Sequence, residues 1–396
     1  MRVWTASQRE PWVDALRALA VLGVFVVNAM GYPVAPNYPV YAGAPNPADS
    51  TIAQLTHAFL IAFVQGKAWP LLCFLFGYSL CAVALQSRAK GWAVRQVLRT
   101  RYRKLLLVGM VHGVLVYFGD VLTAYAVCGL ICGRWALVRP ARLLKIWQRF
   151  TVLFICLAVL YVALGVVLFL SPSTGDALEK SGQAAVRLFT APDVPTLWLL
   201  NASTYLSHSV DALFFLPVLL WLTVAGMLAR RFSLLSTRRY AQLFWSKHIH
   251  PWQLYGALVL NMAIAVAVTQ LQSLGSLYEM KLQGISTWAS FAGIWLAVAL
   301  VATGMRRWHT LCALPRWAVW LAPAGQHTLL MYLSLSVILM LTNGAYLGLA
   351  GHTALRLGVV VVAWVAAIFI ARYATARGMR DPIARWLSAG AGPKTL

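Results

Sequence analysis

An all-α, polytopic integral membrane bundle is the fold this sequence predicts, and three observations predict it. Of the 396 residues, 61% are hydrophobic and 11% charged, with a mean hydropathy of +0.72, whereas about a quarter of the residues of soluble chains are charged. Ten segments qualify, or nearly so, as the stretch of about 20 apolar residues that crosses the hydrocarbon core as a helix. The basic residues behind the net charge of +23 are gathered between those segments, as topogenic signals are. Nucleic acid is therefore rejected as a partner, and the lipid bilayer is expected.

Taken in order, the expected spans lie near 12–32, 66–86, 103–119, 121–138, 150–170, 209–229, 253–272, 288–305, 320–342 and 354–374, one transmembrane domain over residues 1–396. The first follows Arg2 and Arg9 as a signal peptide would. Its apolar run is too long for one, and further spans follow, so it reads as a helix. Segment 51–65 is apolar but holds Gln54, His57 and Gln65, which leaves an interfacial helix and a span both open.

With the N-terminus cytoplasmic, 28 of the 33 Lys and Arg fall on the cytoplasmic side, in clusters that include residues 88–104, 134–149 and 230–247. Lys67, Lys180, Arg187, Lys281 and Arg356 remain outside. That excess predicts both termini inside and an even number of spans, with 33–50, 171–208 and 273–287 as outer loops. A bacterial inner membrane is the expected location. Trp69, Trp92, Trp252 and Trp288 stand near expected span ends and fit an interfacial belt. The six cysteines lie in or beside apolar runs with no metal-type CxxC pair, so free thiols and no metal are expected. There is no GxxxxGK[ST] loop, which argues against ATP-driven transport.

Polar residues inside such segments are costly and usually face a polar interior or a substrate path. His112 and Asp120, in HGVLVYFGDVLTAYAVCGL, are the first candidates. The plainer alternative is a histidine in a helix contact and an aspartate at an interfacial turn. His112 is the only histidine deep within an expected span, roughly 10–15 Å from either end. In the first span Asp14, Arg17 and Asn28 fall within roughly 60° of one another on the helical wheel, forming one polar stripe. Asp14 and Arg17 can also simply pair at i, i+3 and anchor the helix end. Lys67 can snorkel to the interface. His208 and Asp211 form a second-rank base and carboxylate pair, and His327 is a candidate to line the same interior as His112. His248 and His250 sit in a basic loop without acidic or Cys neighbours, where a metal is not expected.

The stretch DALRALAVLGVFVVN resembles the first-helix motif of the membrane acyltransferase superfamily, which includes acyltransferase family three and the heparan-glucosaminide N-acetyltransferases. Asn28 stands where family three has histidine, as it does in the glucosaminide enzymes. The nearest likeness is to the YeiB-type membrane family. It is carried by Lys67 ahead of Gly77 in KAWPLLCFLFG, by His112 followed by GDVLTAYAVCGL with Tyr125, and by GQHTLLMYL with Gln326 and Tyr332. The chain departs from the pattern at Ala18, at Gln326 and Leu330-Met331, and at Asp381-Pro382-Ile383-Ala384-Arg385, where a Gly-Pro-x-Glu-Trp element is reduced.

The resemblance implies transfer of an acyl group, with acetyl as the expected one, from a cytoplasmic acyl-CoA to a hydroxyl or amine of a sugar, glycan or lipid-linked acceptor. Acyl-CoA is then a substrate, and no tightly bound cofactor is expected. On that reading His112 is the base, Asp120 binds acceptor hydroxyls, Asn28 stabilises an oxyanion and Arg17 holds a donor phosphate. Lys67, Tyr125, Gln326 and Tyr332 complete the implied binding residues. The alternatives are a secondary transporter or flippase with His112 and Asp120 as a proton relay, and an inactive relative.

Overall fold

The computed structural model describes residues 10–30, 51–170, 193–236, 239–271, 292–306, 315–342, 346–347, 353–379 and 381–389. Every regular element among them is helical. We number the helices α1 (Pro11–Met30), α2 (Thr51–Phe63), α3 (Ala68–Ala89), α4 (Val94–Leu115), α5 (Leu122–Cys132), α6 (Pro140–Leu170), α7 (Val194–Arg231), α8 (Arg239–His248), α9 (Pro251–Leu271), α10 (Ala292–Arg306), α11 (Arg316–Gln326), α12 (Thr328–Leu341), α13 (Thr353–Ala376) and α14 (Pro382–Ser388). Among the described residues four stretches are long and apolar enough to cross a membrane, and six if each of two bent pairs is one span. The outer faces of α6 and α13 are aliphatic: Val159 and Leu160 are 65% and 61% exposed, Val362 and Ile370 69% and 66%. Such continuous apolar surface suits a polytopic membrane protein whose helices meet lipid.

Three expectations are corrected. The segment 121–138 is not a continuous span: α5 has 11 residues and rises about 16 Å, half of a hydrocarbon core. It returns alongside α4, so the two form a hairpin. Residues 194–208, expected in an outer loop, are helical and belong to α7, whose parts Val194–Val210 and Phe215–Arg231 meet at 73°. Pro217 lies just past the bend, where it offers no N–H and crowds the carbonyl four residues earlier. The expected span 320–342 is likewise two helices, α11 and α12, meeting at 80° around His327. Periodicity showed the apolar content of these stretches but not the breaks.

The interior is held by close backbone approach at glycine. A Cβ on Gly77 would lie 2.0 Å from the carbonyl oxygen of Thr223, and one on Gly226 would lie 1.9 Å from that of Phe74. The two glycines thus let α3 and α7 touch reciprocally. On the other side, a Cβ on Gly325 would lie 1.7 Å from the Asp14 carbonyl oxygen, which brings α11 against α1 where the latter carries its charged pair. The short α14 docks on α4 through Lys104 Nζ, which donates to the Trp386 and Ala389 carbonyls at 2.8 Å each, and Arg101, which donates to Ser388 Oγ at 2.9 Å. Asp381 caps α14, accepting the Ile383 and Ala384 amides at 2.9 and 3.0 Å. The altered Asp381–Arg385 stretch is therefore an ordinary capped helix with Pro at its first position. Of the six cysteines, Cys73, Cys81, Cys128, Cys132 and Cys156 are free thiols; Cys312 lies outside the described residues.

Candidate functional site

At the tip of the α4–α5 hairpin the structure joins His112 and Asp120. The His112 carbonyl accepts the amides of Val116 and Tyr117 at 2.8 and 2.9 Å, which closes α4. Asp120 stands just ahead of α5, and its Oδ2 accepts the Thr123 amide at 2.7 Å. This contact caps the helix and sets the carboxylate at the positive end of its dipole. The other oxygen, Oδ1, lies 2.9 Å from His112 Nδ1. A carboxylate oxygen accepts, so in the neutral imidazole this contact favours the tautomer with the proton on Nδ1 and the lone pair on Nε2. Both side chains are shut away, at 3% and 0% exposure. Among the described residues Nε2 has no hydrogen-bond partner. Buried polar atoms are nearly always satisfied, so an open imidazole nitrogen oriented by a carboxylate is the chemically distinctive feature here.

The hairpin tip is fixed from two sides. Gly109 admits it: a Cβ there would lie 2.6 Å from the Thr123 amide nitrogen and 3.0 Å from Asp120 Oδ2. From α7, Asn201 Nδ2 donates to the Gly113 and Val114 carbonyls at 2.8 Å each, and its Oδ1 accepts the Phe118 amide at 2.9 Å. Tyr205 lies over Gly113, its hydroxyl 2.9 Å from Thr123 Oγ1. Asn201 and Tyr205 were missed in the sequence because their segment read as a loop. Gly109→Ala is expected to push α5 away and loosen the dyad; loss of the His112–Asp120 hydrogen bond, read from the downfield Nδ1 proton in NMR, would check it.

A cavity of about 320 Å³ opens at one end of the bundle, between the start of α1, the end of α3, the start of α4, the end of α7 and α14. Asp14 and Arg17 line it, as do Tyr125, Gln326 and Tyr332. Arg17 pairs with Asp14 and donates to Ser79 Oγ at 2.6 Å. Arg101 and Arg230 bring two more guanidinium groups to the wall, Arg230 donating to the Tyr78 hydroxyl at 3.1 Å, and Glu10 and Asp381 add carboxylates. In the sequence those arginines read only as part of basic loops. The Tyr125 hydroxyl donates to the Trp69 carbonyl at 3.2 Å, and its ring stacks on Phe76 with centroids 5.3 Å apart. Tyr332 is the link between the two halves of the site: it lines the cavity, and its ring packs 5.2 Å from that of His112. His112 itself does not line the cavity, so Tyr332 stands between them.

Four candidate residues do not join this site. Asn28 is half-buried, fourteen residues along α1 from Asp14 and hence about 21 Å up the helix, and it does not line the cavity. The wheel aligned the stripe but did not measure its length. Lys67 is 5% exposed, donates to the Ile61 carbonyl at 2.8 Å and does not line the cavity. Its ammonium is thus taken up by a backbone carbonyl within the protein. His327 is buried at the α11–α12 break, its Nε2 3.4 Å from Thr375 Oγ1, and does not line the cavity. His208 is exposed, edge-on to Phe118. The Asp211 side chain lies outside the described residues.

The described residues thus form a helical bundle with apolar outer faces and a buried His–Asp dyad near a charged cavity. No protein-family model matches the chain. It is similar to the Escherichia coli (strain K12) protein named Uncharacterized protein YeiB, 37% identical over 141 residues, which are 35% of this chain and 33% of that protein. It is also similar to Uncharacterized protein YxaH of Bacillus subtilis (strain 168), 30% identical over 148 residues, 36% of each chain. The chain thus matches about a third of the length of these curated relatives, and over that third a YeiB/YxaH-type relationship is supported.

Proposed function

We propose that the chain is a membrane-embedded acyltransferase that moves an acyl group, acetyl being the simplest, from an acyl-CoA to a hydroxyl or amine of a sugar, glycan or lipid-linked acceptor. The observation that carries the reading is the His112–Asp120 dyad with its open Nε2. Three guanidinium groups at the cavity mouth suit the donor phosphates, and the apolar walls at Leu72, Leu75, Leu105 and Leu122 suit an acyl-pantetheine arm. With Tyr332 swung aside, Nε2 takes the proton of the acceptor O–H or N–H as that atom bonds to the thioester carbonyl carbon. The tetrahedral oxyanion then collapses, the C–S bond breaks, and the departing thiolate recovers the proton from the imidazolium that Asp120 has stabilised. The Tyr332 hydroxyl replaces Asn28 as the oxyanion donor in this account. Asp120 orients His112 rather than binding the acceptor.

In the orientation we propose, the cavity mouth and both termini are cytoplasmic, in a bacterial inner membrane. The α4–α5 hairpin enters and returns on the same side, so the ten expected crossings become eight plus one re-entrant hairpin, an even number as the charge bias requires. A cysteine at position 95 should stay unlabelled by an impermeant thiol reagent in intact cells; labelling there reverses the orientation.

The two broken spans favour one second reading, a proton-coupled transporter, since such proteins bind substrate at discontinuous helices. Proteoliposomes given acetyl-CoA labelled in the acetyl group, with a membrane glycolipid extract, separate the two. Transfer yields free CoA thiol and label in the acceptor or as acetate; transport moves intact label under a pH gradient. Arg17→Ala is expected to raise the donor KM about ten- to a hundredfold, the worth of charge-assisted hydrogen bonds, with kcat largely kept. An unchanged KM removes Arg17 from donor binding.

A further inference from the structure

A second cavity, of about 240 Å³, lies on the outside of the hairpin and plays no part in the chemistry above. Arg95, Arg99, Arg103 and Arg134 surround it, with Leu98, Leu130, Gly129 and Gly133 as its floor. All four arginines are exposed, and among the described residues no acidic residue lines the cavity. Asp120, at the far end of the hairpin, is the only acid between residues 88 and 149. Among the described residues none of the four guanidinium groups has a hydrogen-bond or ion-pair partner. Their neighbours on the opposite face of α4 differ: Arg101 and Lys104 are bonded to α14. One face of the helix is thus occupied by protein contacts, while the other holds converging, unneutralised positive charge.

The same ridge continues into the apolar half of α4 at a strict spacing of four. Arg95, Arg99 and Arg103 are followed by Leu107, Val111 and Leu115, exposed by 56%, 51% and 45%, with Met110 beside them at 49%. Residues four apart are neighbours along a helix surface. From Arg103 to Leu115 the ridge rises about 18 Å, close to the depth of one hydrocarbon leaflet, half of about 30 Å. The ridge also winds about 120° around the helix between Arg103 and Leu115, and a charged head leading into an aliphatic path of one leaflet's depth matches a phospholipid, whose phosphate is joined to its chains in the same order.

We propose that this face is a binding site for an anionic glycerophospholipid, with the phosphodiester held by Arg95, Arg99, Arg103 and Arg134 and an acyl chain lying along Leu107, Val111 and Leu115. Guanidinium forks suit phosphate oxygens, and basic recesses between membrane helices are where anionic headgroups settle. The bound lipid would hold the hairpin at its depth, so its loss loosens the tip that carries His112.

Native mass spectrometry of the purified full chain, titrated with phosphatidylglycerol or phosphatidylcholine, tests this. Phosphatidylglycerol should be retained and phosphatidylcholine released. Arg99→Gln with Arg103→Gln should weaken retention about twenty-five-fold, roughly fivefold per removed guanidinium. Arg142→Gln with Arg149→Gln, which removes the same charge from α6, should leave it unchanged. Because Arg99 and Arg103 are exposed, that double variant should keep its helical circular dichroism. Equal loss in both double variants would show bulk attraction only, equal retention of the two lipids would show no headgroup selection, and displacement by glycerol phosphate as strong as by the lipid would show a soluble anion site. Each of these overturns the proposal.

Discussion

Replacing His112 by Ala is expected to lower acyl transfer about 10²–10⁴-fold, the range for losing a positioned acid–base group, while CoA binding is largely kept. Binding should survive because His112 does not line the cavity proposed to hold the donor, and Tyr332 packs between the two. His112→Gln preserves size and a polar tip but cannot take a proton, so it should be as impaired as Ala. A merely structural histidine would show the reverse, with Gln near the native rate. Asp120→Asn belongs to the same test. Its amide can still sit beside Nδ1 but no longer favours the imidazolium, so turnover should fall about as far as for His112→Ala, without an additive loss in the double variant. Native-like rates for both His112 variants would take the imidazole out of the chemistry.

The second large effect is on folding. Gly226→Val should prevent assembly of α7 against α3, because a Cβ there would lie 1.9 Å from the Phe74 carbonyl oxygen, which is helix backbone and cannot rotate away. Overpacking typically costs about 1–3 kcal/mol, and a clash with backbone on both helices belongs at or above the top of that range. Gly77→Val should behave alike, since its neighbour is the Thr223 carbonyl at 2.0 Å. Gly358→Ala, inside α13 with nothing within 4 Å of the added carbon, should leave the melting temperature unchanged or raise it slightly. Thermal unfolding in detergent by intrinsic tryptophan fluorescence reads all three. A native melting temperature for Gly226→Val would mean that α3 and α7 are not packed at these glycines.

Much of this was legible in the sequence, and the parts that were not share a cause. Apolar segments and basic clusters are properties of composition, so the membrane character and the helical class could be read directly. The His112–Asp120 pairing could be suspected because each residue is expensive in its setting. The hydrogen bond joining them depends on the turn at Val116–Val121, which hydropathy does not encode. The breaks at Pro217 and His327 were hidden for a similar reason: apolar content runs on through them while the backbone does not. A helical wheel aligned Asn28 with Asp14 and Arg17 but ignores distance along the axis, which separates Asn28 from the cavity. Arg101 and Arg230 went unnoticed because basic residues at span ends are expected for topology alone. Only packing shows which of them turn inward, as these two do, and which turn outward, as Arg99 and Arg103 do.

The measurement that tests the central claim most directly is a structure of the chain with a thioether analogue of acetyl-CoA, which binds as the donor does but has no thioester bond to break. The account predicts the phosphates against Arg17, Arg101 and Arg230, and the acyl end directed past a displaced Tyr332 toward Nε2 of His112. An analogue held outside the cavity, or with its acyl end turned away while Tyr332 still covers the imidazole, would contradict it.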